Sequence, residues 1–122
     1  MAERIARFYH GTTANRAQLI ASAAEFSVLR TFLALGDANR DLAVIFANRA
    51  VTRHPNEGGP ALVIVTIAEA GFESLRKLGF MKMTGFDPED RPELRNRFQW
   101  VLEPHGVQRF NQDADDWDWT EA

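Results

Sequence analysis

The chain has 122 residues, of which 45 % are hydrophobic and 25 % are charged, a composition typical of one soluble globular domain. It contains no cysteine, which excludes disulfides, zinc–thiolate sites and thiol nucleophiles, and its formal net charge is −3. No apolar run approaches the roughly 18 residues of a membrane span, and the amino terminus lacks the apolar segment of a secretory signal. We therefore expect no membrane contact, and a protein that is cytoplasmic or is exported without a cleaved signal.

Charge is distributed unevenly along the chain. Residues 113–122 carry five acids and no base, whereas residues 1–112 hold 14 basic and 12 acidic side chains. We predict a single domain over residues 1–112, followed by an acidic tail over residues 113–122. Trp117 and Trp119 lie among the acids of the tail, and tryptophan rings are usually buried. The tail therefore either folds back onto the domain or binds a partner, and we favour folding back.

Strands and helices alternate in the first half of the chain. Residues 5–10 are predicted as a strand and residues 13–24 as a helix that a threonine caps. At least residues 30–34 are expected to be extended, and residues 38–53 give the clearest helix, with Asp37 as its cap. The apolar face of that helix is predicted at Leu42, Ile45, Phe46 and Ala50.

The second half of the chain is richer in strands. Residues 61–67 form a continuous apolar run, which predicts a central strand buried on both faces. Residues 69–82 show no decisive period and leave room for one or two helical turns. Residues 97–102 are predicted as a strand, followed by a turn over residues 104–106 and a returning strand over residues 107–110. This order of elements predicts an α+β fold rather than a doubly wound parallel sheet.

A short motif, Tyr9-His10-Gly11-Thr12, ends the first predicted strand. Strand alternation places Phe8 and His10 on one side of the strand and Tyr9 on the other. Gly11 permits a close approach to its backbone because it has no Cβ. Thr12, or the threonine that follows it, is suited to cap the next helix, whose free N–H groups favour anionic or amide-oxygen partners.

Three separated segments resemble the motifs of ADP-ribosyltransferases of the His-Tyr-Glu class. The motif just described resembles their first one, which commonly reads Tyr/Leu-His-Gly-Thr/Ser. Residues 31–35, followed by residues 43–47, resemble the second motif, in which a tyrosine-bearing strand precedes a helix of pattern Ala-x-x-Tyr-Ala. Residues 98–102 (Phe-Gln-Trp-Val-Leu) resemble the third, which is usually Glu-Tyr-hydrophobic-Val. The order and spacing of the segments agree with the family over residues 7–110.

The resemblance implies an α+β fold in which split antiparallel sheets, with two or three helices, surround an NAD-binding cleft. In that family the histidine bonds a ribose hydroxyl and the glycine backbone holds the nicotinamide carboxamide. Those roles fall here to His10 and Gly11, with Thr12 alongside. The aromatic residue of the second motif stacks on nicotinamide, which points to Phe32, or to Leu33 if the register shifts by one residue.

Arginines are the implied contacts for phosphate groups. Arg30 and Phe32 share a face of the predicted strand, and Arg30 is expected to meet the diphosphate of NAD. Arg91, Arg95 and Arg97 leave a different reaction open. Members of the superfamily that act on RNA 2′-phosphates use arginines instead of the glutamate, so an RNA 2′-phosphotransferase-like enzyme is an alternative.

The third motif departs from the family at its catalytic glutamate, where this chain has Gln99. A carboxylate there bonds the 2′-hydroxyl of the nicotinamide ribose and stabilises positive charge as the glycosidic bond loosens. Its loss typically costs on the order of 10²–10⁴-fold in rate, so Gln99→Glu is expected to raise NAD hydrolysis. Glu103 shares the strand face of Gln99 but lies roughly 13 Å away, so it could supply the charge only in a different strand register. Three acids of the preceding loop are the other candidates for the missing charge, namely Glu89, Asp90 and Glu93.

Three functions remain open at this point. The first is a toxin- or effector-like ADP-ribosyltransferase that moves ADP-ribose from NAD to a protein or nucleic-acid acceptor and releases nicotinamide, with His10 and Gln99 as catalytic residues. The second is a catalytically inactive protein of the same fold that binds NAD, an ADP-ribosyl group or a protein partner. The third is an unrelated small α+β interaction domain. The three histidines show no metal-ligand spacing, so no metal site is expected.

Overall fold

Six antiparallel strands and four α-helices make up the computed structural model, which describes residues 4–122. The strands are β1 (Ile5–Thr13), β2 (Thr31–Leu35), β3 (Pro60–Ala68), β4 (Met81–Thr84), β5 (Gln99–Leu102) and β6 (Ala114–Glu121). The helices are α1 (Ala14–Ala23), α2 (Arg40–Arg53), α3 (Glu69–Lys77) and α4 (Pro104–Asp113), with 3₁₀ turns at Asp37–Asn39 and Pro92–Leu94. The α+β class is therefore confirmed. Within the described residues four helices take the place of the two or three expected.

The strands form one sheet of order β4-β5-β2-β1-β3-β6, rather than the two sheets expected. β1 pairs with β3 along its whole length, but it pairs with β2 only at Phe8↔Leu35 and Tyr9↔Ala34. The first three residues of β2 pair with β5 instead. The two central strands therefore separate beyond Tyr9, and the sheet has an opening beside His10.

The two faces of the sheet carry different helices. On one face α1, α3 and α4 cover a core that includes Phe8, Val65 and Phe110. On the other face α2 packs on Tyr9 and Leu62. No helix within the described residues has the length and apolar character needed to cross a membrane.

The predicted turn and strand over residues 104–110 are wrong, because this segment forms α4. Pro104 is tolerated in the first turn of a helix, where its missing N–H has no partner to lose. Val107 and Phe110, three residues apart, are both fully buried on one side of α4. A four-residue window is too short to distinguish that spacing from a strand. Glu103 becomes the N-cap residue of α4 and does not extend β5.

Two details of the second predicted helix also differ. Asp37 begins a 3₁₀ turn instead of capping α2, and its carboxylate accepts a hydrogen bond from the Tyr9 hydroxyl. The buried residues of α2 are Leu42, as predicted, together with Ala43 and Ala47. The other three predicted residues, Ile45, Phe46 and Ala50, are only partly buried. The alanines are buried because α2 packs closely against the end of β1 that contains Gly11.

The acidic tail folds back onto the domain, as favoured from the sequence. It forms the edge strand β6, which pairs with β3 in the sheet. The ring of Trp117 lies 5.3 Å from that of Phe26, and Trp119 packs against the same core. The alternation of tryptophans and acids is therefore the alternation of a half-buried strand.

Candidate functional site

A cleft with two lobes opens where β1 and β2 separate. The smaller lobe has a volume of about 210 Å³ and the larger about 530 Å³. Small-molecule sites span roughly 300–1,000 Å³, so the larger lobe is of ligand size. The smaller lobe is lined by Gly11, Phe32, Phe46, Arg49, Ala50 and His54, and the larger mainly by Leu19, Ile20, Phe26, Leu29, Arg30 and Thr31. Both lobes are lined by His10, Arg16 and Arg53.

His10 occupies the junction of the two lobes. Its Nδ1 lies 3.0 Å from the carbonyl oxygen of Phe32, across the opening between the strands. Because a carbonyl only accepts, Nδ1 carries the proton in this hydrogen bond. Burial lowers the pKa of His10, and the bond to Phe32 opposes part of that shift. The imidazole is therefore neutral near pH 7, which leaves Nε2 as a hydrogen-bond acceptor.

Two phenylalanines form an aromatic wall of the smaller lobe. The rings of Phe32 and Phe46 are nearly parallel, with an angle of 7° between their planes and 6.0 Å between their centroids. The Arg30 guanidinium lies 5.6 Å from the Phe32 centroid, as its expected position on the same strand face requires. Arg49 lies 5.8 Å from the Phe46 centroid. Leu33 is only 1 % exposed in the core, so Phe32 is the aromatic residue that the cleft can use.

Gly11 lines the smaller lobe, but its missing side chain also has a packing role. A Cβ at Gly11 would clash with the Ala43 carbonyl oxygen and lie 2.6 Å from the Ala47 backbone nitrogen. The space predicted for a ligand beside Gly11 is thus partly occupied by the backbone of α2. Thr12 is 5 % exposed, pairs with Ala61 in β3, and lines neither lobe.

Of the anionic and amide-oxygen partners expected at the amino terminus of α1, the structure shows amide oxygens of the chain itself. The Thr13 hydroxyl caps the helix by accepting from the Arg16 N–H at 3.3 Å, as expected. The N–H groups of Ala14 and Asn15, however, donate to the Gly59 and Glu57 carbonyl oxygens at 2.8 and 3.0 Å. The loop between α2 and β3 therefore takes the donors that a ligand would need.

Arg16 is held at the cleft by a network of polar contacts. Its Nε donates to Glu57 Oε2 at 2.6 Å, and its Nη2 lies 3.3 Å from both Glu57 Oε1 and His54 Nε2. Glu57 Oε2 also accepts from the Thr13 hydroxyl at 3.0 Å. The hydrogen bond between Arg16 and Glu57 raises the pKa of the arginine and lowers that of the carboxyl. Both groups therefore stay charged across the neutral range.

Several lining residues were missed in the sequence. Phe46, Arg49, Ala50 and Arg53 lie on one face of α2, at positions i, i+3, i+4 and i+7. Phe46 and Ala50 were predicted on the apolar face of this helix, but only the position of β1 shows that they border a cleft together with Arg49 and Arg53. His54, directly after α2, also lines the smaller lobe and was not among the predicted site residues.

Gln99 lines neither lobe of the cleft. It is 6 % exposed on β5 and shares a sheet face with Val101, which pairs with Phe32. Its catalytic role stays a prediction from the third motif. Among the residues that the structure describes, none that lines either lobe is an aspartate or a glutamate.

The loop acids and the arginines near them mostly bond to one another or to α2. Arg97 donates to Asp41 at 2.8 Å, and Arg91 donates to Glu93 at 3.2 Å. These two arginines do not line the cleft. Asp90 lies 3.9 Å from Arg49, which lines the smaller lobe.

No family model matches the chain, and no curated protein or solved structure matches it at a significant level. The resemblance to ADP-ribosyltransferases therefore stays a prediction from the three motifs.

Proposed function

We propose that this protein is an NAD-dependent ADP-ribosyltransferase that binds NAD across the two lobes and releases nicotinamide from the smaller one. The observation that carries the proposal is the position of His10. The first motif of the resemblance ends at the opening of the sheet, and its histidine is the one side chain of that motif that lines both lobes.

The state of His10 suits the contact that the resemblance assigns to it. A ribose hydroxyl donates a hydrogen bond most readily to a neutral imidazole nitrogen with a free lone pair. The Phe32 carbonyl holds Nδ1 and leaves Nε2 for that purpose. One such hydrogen bond positions the nicotinamide ribose at the junction of the lobes, where the glycosidic bond would break.

The aromatic wall supports the placement of nicotinamide in the smaller lobe. The nicotinamide ring of NAD is planar and carries a positive charge, so it is attracted to the faces of phenylalanine rings. Phe32 replaces the tyrosine of the second motif and keeps the ring face that stacks. The Gly11 backbone borders the same lobe, next to the expected position of the carboxamide.

The reaction of NAD with an acceptor breaks the bond between ribose C1′ and the nicotinamide nitrogen and forms a bond from C1′ to the acceptor. Nicotinamide leaves as a neutral molecule, and the acceptor loses a proton. His10 orients the ribose, and the aromatic wall of Phe32 and Phe46 excludes water. Protein and nucleic-acid acceptors both remain candidates.

A second candidate function is binding of NAD or an ADP-ribosyl group without transfer. The specific observation in its favour is the lack of a carboxylate among the described lining residues. Stabilisation of an oxocarbenium-like transition state normally uses such a charge. NAD binding without nicotinamide release would identify this function.

The test is to measure NAD affinity and nicotinamide release for the wild type and for His10→Ala. We expect the variant to lose one or two hydrogen bonds to NAD, which weakens binding by about 1–3 kcal/mol, and to release nicotinamide more slowly. His105→Ala is the matched control, because His105 is an exposed histidine on α4 that lines neither lobe. Unchanged NAD affinity in folded His10→Ala would remove His10 from the site, and no NAD binding by the wild type would contradict the proposal.

A further inference from the structure

Three arginines from three different parts of the fold line the larger lobe. Arg16 lies in the first turn of α1, Arg30 directly precedes β2, and Arg53 ends α2. Arg16 and Arg53 line the smaller lobe as well, so they lie at the junction. Among residues 4–122, no carboxylate lies within 4.0 Å of the guanidinium of Arg30 or Arg53. Two of the three cations are therefore available to an anionic ligand.

The third, Arg16, is held in a fixed orientation by its ion pair with Glu57. Glu57 accepts from Nε and Nη2 along one edge of the guanidinium, and the Thr13 hydroxyl holds Glu57 in turn. Nη1 makes no hydrogen bond to any part of the chain that the structure describes. The backbone carbonyl of Glu57 accepts from Asn15 at the start of α1, so this carboxylate is attached to the helix that carries Arg16.

We propose that Arg16, Arg30 and Arg53 form a binding site for the diphosphate of a nucleotide, with Glu57 as the positioning residue that fixes Arg16. Three guanidinium groups and one carboxylate leave two positive charges, which match the two negative charges of a diphosphate diester. The planar guanidinium donates parallel hydrogen bonds to two oxygens of a phosphate. The 67 % exposed side chain of Leu29, in the same lobe, offers apolar surface to the attached nucleoside.

The inference rests on the proposed function only for the identity of the nucleotide as NAD. ADP carries a diphosphate on the same adenosine, as a monoester with a further ionisable oxygen, and contains no nicotinamide, so it probes the site without any transfer reaction. Adenosine is the matched ligand without phosphates. Their dissociation constants can be measured by NMR titration of the full chain, which detects weak binding.

We expect ADP to bind more tightly than adenosine to the wild type. Arg53→Gln should weaken ADP binding by about tenfold and leave the affinity for adenosine unchanged. Glu57→Gln should weaken ADP binding to a similar extent by releasing Arg16, and Glu57→Asp should restore part of the loss. Arg109→Gln, on α4 and outside the cleft, is the control that keeps the wild-type affinity.

The site is overturned if ADP binds no better than adenosine, or if Arg53→Gln binds ADP as the wild type does. Arg53 is exposed, so its substitution tests the site even if Glu57→Gln fails to fold. If the protein releases nicotinamide but these substitutions leave its ADP affinity unchanged, the site is overturned and the proposed function stands. ADP affinity that follows them, without nicotinamide release, would support the site and contradict the transferase.

Discussion

At the scale of single residues, Gly11 connects the packing of α2 to the wall of the cleft. The backbone of α2 approaches it too closely for a Cβ to fit, and it also lines the smaller lobe. The sequence showed a glycine at a strand end and suggested a ligand contact. The structure adds that any larger residue would push the helix, and with it the aromatic wall of Phe46, away from β1.

Gly11→Ala is therefore expected to lower the free energy of unfolding by about 2–3 kcal/mol. The new methyl group would clash with the Ala43 carbonyl oxygen, which belongs to helix backbone and cannot turn aside. Urea unfolding is the measurement. Gly59→Ala is the control, because a Cβ there meets nothing within 4 Å. Equal stabilities of the two variants would contradict the packing role of Gly11.

His10 should make stability depend on pH. Its pKa is lower in the folded protein than the usual 6.5, because burial disfavours the charged imidazole. Between those two pKa values the unfolded chain binds the additional proton, so folding stability rises with pH. The contribution is fully present above about 6.5 and is lost as the pH falls towards the folded pKa. Replacement of His10 removes that contribution.

Unfolding free energies at pH 7.5 and pH 5.5 test this expectation. The wild type should lose more stability on acidification than His10→Gln, which has no group that titrates in this range. The same loss in both proteins would show that His10 is not the group responsible.

At the scale of elements, one side chain connects α4 to the loop that borders the larger lobe. The Asn111 side-chain oxygen accepts from the Phe26 N–H at 2.9 Å, and its nitrogen donates to the Phe26 carbonyl at 3.0 Å. The Asn111 side chain thus bonds both backbone polar groups of Phe26, as a neighbouring strand would, and it holds the segment between α1 and β2 in place. Arg30 and Leu29 follow Phe26 in this loop, so Asn111 helps to place them at the cleft.

Asn111→Ala is expected to destabilise the protein by about 1–3 kcal/mol, because two backbone groups of Phe26 lose their partner. Thermal unfolding, compared with that of Gln112→Ala, measures the effect. Gln112 is the exposed neighbour on the same helix and makes no described side-chain hydrogen bond. Hydrogen exchange should speed up at the Phe26 amide in the Asn111 variant alone. Protection of that amide equal to the wild type would contradict the role of Asn111.

At the scale of the whole molecule, the acidic tail is a structural edge of the sheet. β6 covers the free side of β3, and its tryptophans close the core around Phe26 and Phe110. Its acids give the exposed edge a negative charge, which opposes pairing with other chains.

A chain that ends at Asp113 is therefore expected to lose its cooperative unfolding transition. It would expose the backbone of β3 and the apolar surface that Trp117 and Trp119 cover. Asp115→Asn, an exposed substitution in β6, should change the stability by no more than about 0.5 kcal/mol. Differential scanning calorimetry of both proteins decides the matter. A truncated chain with the wild-type melting temperature would show that the tail is dispensable.

The secondary-structure predictions succeeded where the apolar pattern in the sequence was long. The strand at residues 61–67 and the helices at residues 13–24 and 38–53 have long apolar patterns, and β3, α1 and α2 confirm them with small changes at their ends. The four residues 107–110 were too few to reveal a helical period, so α4 was missed. Residues 69–82, which showed no decisive period, contain α3 and the start of β4. Both elements are short, and the positions of their apolar residues depend on the part of the core that each one covers.

The sequence by itself determined the class of fold, the motif at the end of β1, a threonine cap for α1 and the shared face of Arg30 and Phe32. Each of these depends on residues that are neighbours in the chain. Only the tertiary structure decided which groups meet at the opening of the sheet. Arg16, Arg53 and His54 line one cavity with His10 because β1 and β2 separate and α2 packs on Gly11. Such contacts join distant segments, and their energies depend on packing that no local pattern records.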